Sequence, residues 1–198
     1  MSEANSLGRR ELNKQAKLDR ITTVARELFA EKSIGEITTA EVAKRAEIAA
    51  GTLFLYAKTK GELLLLAQNA SYAEAHKLGL AATANETEPI AAILAVMKPI
   101  INCNREHAEN GRIYLQEVVF GASTEGYRQE ALELMAGTER TVAEIATRVA
   151  NANDQDGVLR AKAAMAIMFL TLSSPLNAAL SSEDLLEEIE SQLKLLFV

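Results

Sequence analysis

Few side chains in the sequence have the types and spacing that enzymes use for catalysis. Cys103 and His107 lie four residues apart, so on a helix both could contact one metal ion. The sequence contains one other histidine, His76, and no other cysteine, which leaves this pair short of the ligands that a stable site needs. The glycine-rich nucleotide loops and the serine elbow of hydrolases do not occur. We therefore expect no catalytic residues, no metal, no cofactor and no enzymatic activity.

A second set of polar residues has a spacing that suits contact with a polyanion. Thr38 and Thr39 stand where a short helix is predicted to begin, and free backbone N–H groups at such a position bind phosphate. Gly51 lets the backbone approach DNA closely. Donors that could reach phosphates follow at Thr52, Tyr56 and Lys60.

Charge and composition limit the class of protein. Residues 1–60 carry 11 Lys and Arg against 8 Asp and Glu, whereas all 198 residues carry 21 against 27, for a net charge of −6. A polyanion partner would therefore meet the N-terminal third, although a solvated charged surface gives the same bias. The single cysteine excludes an intrachain disulfide. Because no apolar run is long enough to span a membrane and no signal peptide is expected, we predict a cytoplasmic protein without membrane contact.

The elements that must position these residues are helices, because apolar residues recur at spacings of three and four along nearly the whole chain. The predicted helices span residues 14–32, 38–46, 50–56, 60–82, 88–107, 110–120, 124–151, 156–172 and 182–197. Gly35 is expected to take the left-handed conformation after the first helix. Thr38 and Glu41 are expected to form a capping box. The two short helices form a helix-turn-helix, which can lie in the DNA major groove or be a plain packing unit.

The sequence ITTAEVAKRAEIAAGTLFLYAKTKGELL, residues 37–64, resembles the N-terminal domain of the TetR (tetracycline-repressor-like) family of bacterial transcription regulators. The preceding ITTVARELFAEKSIGEIT, residues 21–38, is similar to that family's first helix and its connection. The resemblance implies a DNA-binding domain at residues 14–70, with the helix-turn-helix at about 38–57. It implies a helical ligand-binding and dimerisation domain at residues 71–198, in an all-α fold of about nine helices.

The function that the resemblance implies is a homodimeric repressor, which binds a double-stranded DNA operator and is released by a small molecule. The DNA-binding residues expected from the spacing and the matching positions are Thr38, Thr39, Arg45, Gly51, Thr52, Leu55, Tyr56 and Lys60. The sequence departs from the family pattern at Glu47, where glycine is usual, and at Ala49, where a serine cap is common. Leu55 stands where a polar base-reading residue is common, so hydrogen-bond readout by this helix is poor. The alternative is a helical ligand-binding or interaction protein whose helix-turn-helix no longer reads DNA specifically.

The C-terminal two thirds supply candidates for a ligand pocket and a dimer interface. Mid-helix aromatic, thioether and aliphatic residues could line a pocket for an uncharged, apolar inducer, although such residues are commonly core. These residues are Met97, Ile101, Cys103, Tyr114, Phe120, Tyr127, Met135 and Met168. Apolar stripes on the last two helices predict a four-helix interface between two copies, and part of these stripes must pack on the chain itself. The interface residues are Ala163, Ile167, Leu170, Leu185, Ile189, Leu193 and Leu196.

Overall fold

The computed structural model describes residues 2–121, 126–149 and 154–197. Within these ranges the backbone forms nine α-helices, two short 3-10 helices and no strand. The α-helices are α1 (Ser2–Glu31), α2 (Thr39–Arg45), α3 (Ala50–Leu53), α4 (Lys60–Ala82), α5 (Pro89–Arg105), α6 (Ala108–Phe120), α7 (Gly126–Val149), α8 (Asp154–Ser173) and α9 (Ser182–Leu196). The predicted all-α fold class is confirmed.

The chain divides into two compact units, Met1–Ala67 and Gln68–Val198. The first, the head unit, contains α1, α2, α3 and the beginning of α4. The second, the body unit, contains the rest of α4 and α5 to α9. The assignment of residues 14–70 to DNA binding and residues 71–198 to ligand binding and dimerisation stays a prediction. None of the described helices combines the length and apolar character that a bilayer crossing requires.

The core of the head unit forms where α1 packs on α2 and α2 packs on α3. Leu28 and Phe29 of α1 are buried, as are Val42 of α2 and Leu53 of α3. Burial of each such side chain contributes about 1.5–3 kcal/mol, so these contacts fix the short helices in place. Helix α1 begins at Ser2 instead of the predicted residue 14. The intervening Glu, Ala, Leu and Arg residues are strong helix formers, and no proline interrupts them, although Gly8 lies among them.

The turn between α2 and α3 is a Schellman motif. The Ile48 N–H donates to the Ala43 carbonyl at 3.0 Å, and the Glu47 N–H donates to the Lys44 carbonyl at 3.2 Å. This motif requires a left-handed residue, and Glu47 supplies it with a φ of 55°. The expectation for Gly35 was wrong, because no described glycine has a positive φ.

Helix α3 is shorter than predicted. It spans Ala50–Leu53 instead of residues 50–56, and Ala49 at its N-cap offers no side-chain acceptor. The chain then continues in tight turns, in which the Leu55 N–H donates to the Thr52 carbonyl at 3.1 Å and the Tyr56 N–H to the Leu53 carbonyl at 2.9 Å. These bonds hold the backbone of the segment that follows α3.

The body unit packs around α5, α7 and α8. Helix α7 packs along α8, while α5 contacts α6, α7 and α9, and α9 also contacts α8. A side chain at Gly157 would collide with Thr147, so the close approach of α8 to α7 requires glycine there. Met97, Ile101 and Met168 are completely buried in this core.

Candidate functional site

The N-terminus of α2 is capped as the sequence predicts. Thr38 lies outside the helix in an extended conformation, and its Oγ1 accepts a hydrogen bond from the Glu41 N–H at 3.1 Å. The Glu41 side chain does not complete the predicted capping box. Its Oε1 instead accepts from Lys32 Nζ at 2.8 Å, which joins α2 to the end of α1.

Arg45, a predicted DNA contact, belongs to the same charge cluster. Its Nη2 lies 3.5 Å from Glu41 Oε1, the oxygen that Lys32 also contacts. The hydrogen bond from Lys32, together with the positive charges of Lys32 and Arg45, lowers the pKa of the Glu41 carboxyl. Glu41 therefore stays ionised and offsets part of the positive charge at this edge of the head unit.

The segment from Gly51 to Leu55 presents an apolar surface to solvent. Gly51 is exposed, and an added Cβ would meet no atom within 4 Å. Leu55 is 83% exposed and Phe54 is 46% exposed, although both are large apolar residues. Thr52, which is half-buried, carries the one hydroxyl group among these five residues. This surface, Gly51–Leu55, is named the recognition segment below.

Tyr56 and Lys60 have contacts that the sequence did not predict. The Tyr56 hydroxyl donates to the Lys14 carbonyl of α1 at 3.4 Å. Lys60 Nζ donates to the carbonyls of Ile34 at 2.9 Å and Gly35 at 3.4 Å, which ties the start of α4 to the connection between α1 and α2. Both residues hold the head unit together, and their contacts with phosphate stay predictions.

All eight predicted DNA-binding residues belong to the head unit. Four of them are exposed and four are half-buried. The exposed residues are Thr38, Arg45, Gly51 and Leu55, and the half-buried ones are Thr39, Thr52, Tyr56 and Lys60. The helix-turn-helix and its solvent-facing residues are therefore present, while DNA contact by each residue stays a prediction.

A buried polar network lies inside the body unit. The Tyr114 hydroxyl donates to Asn69 Oδ1 at 3.0 Å, and Asn69 Nδ2 donates to the Tyr127 carbonyl at 2.8 Å. The Tyr72 hydroxyl donates to Thr138 Oγ1 at 3.2 Å. Burial raises the pKa values of Tyr72 and Tyr114, so both hydroxyls keep their protons and act as donors.

The residues predicted to line a ligand pocket are mostly packed as core. Met97, Ile101 and Met168 are completely buried, and Tyr114 and Met135 are nearly so. Cys103 and Tyr127 are half-buried, and the Cys103 thiol donates to the Ile100 carbonyl at 3.2 Å. Phe120 is 77% exposed at the end of α6, so it is not part of the packed core, and its place in a ligand pocket stays a prediction.

An open groove of about 650 Å³ lies elsewhere in the body unit, between the end of α4, the second half of α7 and the start of α8. Its lining comprises apolar and hydroxyl side chains and one pair of charges. The lining residues are Leu80, Thr83, Thr141, Ala143, Glu144, Ile145, Thr147, Arg148 and Val158. None of the eight predicted pocket residues is among them. The polar residues of α7 recur every three or four positions, a signal in the sequence that could have revealed this face.

The predicted dimer interface needs a correction at α9. Leu185, Ile189 and Leu193 each have 0% exposure because α9 packs this stripe on α5 and α8 of its own chain. Side chains without exposed surface cannot be buried against a second copy. On α8, Leu170 is 66% exposed and Leu159 is 58% exposed. Ala163, Ile167 and Leu196 are half-buried.

The two residues considered as a metal pair have other partners. The Cys103 thiol bonds to a backbone carbonyl, as described above, and His107 caps α6 by accepting from the Asn110 N–H at its Nδ1, at 3.4 Å. In the part of the chain that the structure describes, no three His, Cys, Asp or Glu residues cluster in a way that could hold a metal ion.

Comparisons with known proteins agree with this architecture. Residues 21–67 match the model of the family described as bacterial regulatory proteins, tetR family. A TetR transcriptional regulator from Rhodococcus sp. RHA1 is 20% identical, with a TM-score of 0.70 over 94% of this chain and 98% of that one. Thermus thermophilus FadR, a TetR-family repressor in complex with lauroyl-CoA, is 22% identical, with a TM-score of 0.67 over 90% of this chain and 92% of that one.

The fatty acid degradation regulator FadR from Bacillus halodurans is 16% identical, with a TM-score of 0.66 over 89% of this chain and 94% of that one. No curated protein sequence matches the chain. The resemblance predicted from the sequence is therefore confirmed: residues 21–67 match the TetR-family model, and the chain has the all-α fold of TetR-family transcriptional regulators with its N-terminal helix-turn-helix.

Proposed function

We propose that this protein is a DNA-binding transcriptional repressor that acts as a homodimer and is released from its operator by a small, largely apolar ligand. The observation that carries the proposal is the helix-turn-helix of the head unit, which matches the family model and leaves Gly51 and Leu55 exposed after a tightly held turn. Residues 1–60 carry more Lys and Arg than Asp and Glu, and this net positive charge favours binding of a polyanion to the head unit.

Gly51 provides the most direct test of DNA contact. A methyl group there meets no atom of the protein within 4 Å, and alanine is a better helix former than glycine, so Gly51→Ala should not disturb the fold. If the backbone lies against DNA, the added methyl group should weaken binding about tenfold or more, as overpacking does in a tight interface. Electrophoretic mobility shift with DNA that flanks the protein's own gene measures this effect.

Gly126→Ala is the matched control, because an added Cβ at this exposed glycine of the body unit also meets no atom within 4 Å. It should leave DNA affinity unchanged. Equal affinities of Gly51→Ala and the wild-type protein would contradict the placement of the recognition segment on DNA.

The groove of the body unit is the site that we propose for the ligand. Leu80, Ile145 and Val158 offer apolar surface, while Arg148 offers a positive charge that suits an anionic group on an otherwise apolar molecule. The structurally similar FadR of Thermus thermophilus was solved with lauroyl-CoA, which joins an apolar acyl chain to the polar, anionic coenzyme A group. We therefore expect lauroyl-CoA, but not coenzyme A alone, to release the protein from DNA in the same assay.

The second candidate function is a helical ligand-binding or interaction protein that no longer reads DNA specifically. The apolar character of the recognition segment favours this alternative, because Leu55 and Phe54 offer no hydrogen bonds to base edges. Selection from a random duplex library separates the two functions. Enrichment of one sequence supports the repressor, whereas binding without enrichment supports the alternative.

A further inference from the structure

The recognition segment offers DNA a contact surface that is almost entirely apolar. Leu55 is 83% exposed and the neighbouring Phe54 is 46% exposed. The bond from the Leu55 N–H to the Thr52 carbonyl, at 3.1 Å, closes a four-residue turn with the i→i+3 hydrogen bond of a 3-10 helix. In such a turn, side chains three positions apart lie over one another, so Thr52 and Leu55 share a face. The position of the exposed leucine is thus fixed by the backbone.

The four bases differ in the chemical groups that their edges present in the major groove to an apolar protein surface. Adenine, guanine and cytosine present hydrogen-bond donors or acceptors and no methyl group there, whereas thymine presents a 5-methyl group beside its O4 acceptor. An aliphatic side chain that covers a donor or acceptor removes its water and returns no hydrogen bond, which is unfavourable. The same side chain against a methyl group removes apolar surface of both partners from water.

We infer that Leu55 recognises the 5-methyl group of a thymine in each operator half-site, so that sequence is read at this position by apolar contact instead of hydrogen bonds. The inference rests on the proposed DNA-binding function and specifies the chemistry of that same surface. Phe54 extends the apolar surface beside Leu55, and the small Gly51, four positions before Leu55, leaves room for the DNA to approach.

The test begins with selection of the preferred duplex from a random library by the full-length protein. Each thymine of the selected site is then replaced in turn by deoxyuridine, which lacks only the methyl group and keeps every hydrogen-bonding group. For the wild-type protein, replacement at one or more positions per half-site should weaken binding about fourfold. This is the effect expected when one group the size of a methylene is no longer buried on binding. Fluorescence anisotropy titration gives the dissociation constants.

Leu55→Ala separates the proposed contact from other effects of uracil on the duplex. This variant should bind the thymine site more weakly than the wild-type protein and should bind the thymine and uracil versions of the sensitive position equally. Leu78→Ala, which shortens a 64% exposed leucine of the body unit, is the matched control and should keep the fourfold difference.

Three outcomes overturn the inference. Wild-type protein that binds thymine and uracil sites equally would exclude methyl recognition, while leaving the proposed DNA binding intact. A uracil penalty that persists in Leu55→Ala would assign the methyl contact to another residue. A library from which no sequence is enriched would remove the proposed function, and the inference would fall with it.

Discussion

Glu47 holds a backbone conformation that is unfavourable for a residue with a Cβ. Its φ of 55° is imposed by the Schellman motif that ends α2 and directs the chain into α3. The left-handed region costs such a residue about 1–2 kcal/mol. Its carboxylate lies 3.8 Å from Arg20 Nη1, and this ion pair between exposed side chains contributes little stability. The strain lies at the turn that orients the recognition segment.

Replacing Glu47 by glycine should therefore stabilise the head unit. Glu47→Ala is the matched control, because both variants lose the contact with Arg20 and only alanine keeps the Cβ. We expect amides of α2 to exchange more slowly in Glu47→Gly than in Glu47→Ala, by a difference of about 1 kcal/mol in opening free energy. The gain is reduced by the extra freedom of glycine in the unfolded chain. Equal exchange rates in the two variants would show that the turn carries no strain.

At the residue scale, the sequence predicted what depends on close neighbours along the chain. The bond from the Glu41 N–H to Thr38 Oγ1 spans three residues, and the spacing alone indicated it. The bond from Lys60 to the Ile34 carbonyl spans 26 residues. Nothing in the local sequence distinguishes a lysine with such an internal contact from one whose ammonium group is free to bind phosphate. Glu47 in a left-handed turn was also missed, since glycine or asparagine is the usual signal.

At the scale of elements, the network around Asn69 joins three helices inside the body unit. Asn69 on α4 accepts from Tyr114 on α6 and donates to the Tyr127 carbonyl on α7. It also donates to Glu130 Oε2 at 3.1 Å. A buried amide is tolerated only when its oxygen and nitrogen both find partners, so these bonds specify how the three helices pack.

Tyr114→Phe tests this network. The variant keeps the ring but leaves the buried Asn69 Oδ1 without its donor, which should cost about 1–3 kcal/mol of stability. Tyr72→Phe is the comparison, because Thr138 Oγ1 keeps its own donated bond to the Leu134 carbonyl and a smaller loss is expected. Urea unfolding monitored by circular dichroism gives both values. A loss in Tyr114→Phe no larger than in Tyr72→Phe would contradict this role of Asn69.

At the scale of elements, periodicity predicts that a helix has an apolar face but not what that face packs against. The spacing of Leu185, Ile189 and Leu193 correctly predicted a helix with one apolar face. The same stripe suits a partner subunit or the chain's own core, and periodicity does not distinguish them. The structure buries it on α5 and α8. The pocket prediction met the same ambiguity, because Met97 and Ile101 have the apolar character of pocket walls and are packed as core.

At the scale of the whole molecule, the proposed repressor requires two copies. A two-fold axis places two recognition segments on successive major-groove faces of a palindromic operator, which one copy cannot do. The surface available for this association is on α8, where Leu159, Ala163, Ala166 and Leu170 follow one another at spacings of four, three and four. Small alanines between two exposed leucines allow the close approach of a second helix.

The double variant Leu159→Glu with Leu170→Glu should abolish this dimer without unfolding the chain. Both side chains are more than half exposed, so the glutamates remain hydrated in a single copy. In a dimer they would be buried without partners and close to like charges, at a cost of several kcal/mol. Sedimentation velocity at micromolar concentration should find a monomer. This monomer should keep the wild-type circular dichroism spectrum and should not bind the operator.

Two further variants serve as controls. Leu78→Glu, at an exposed leucine of α4, should remain dimeric, whereas Ile189→Glu should unfold the body unit, because Ile189 is fully buried. A double variant that stays dimeric, or a monomeric wild-type protein, would remove α8 as the interface.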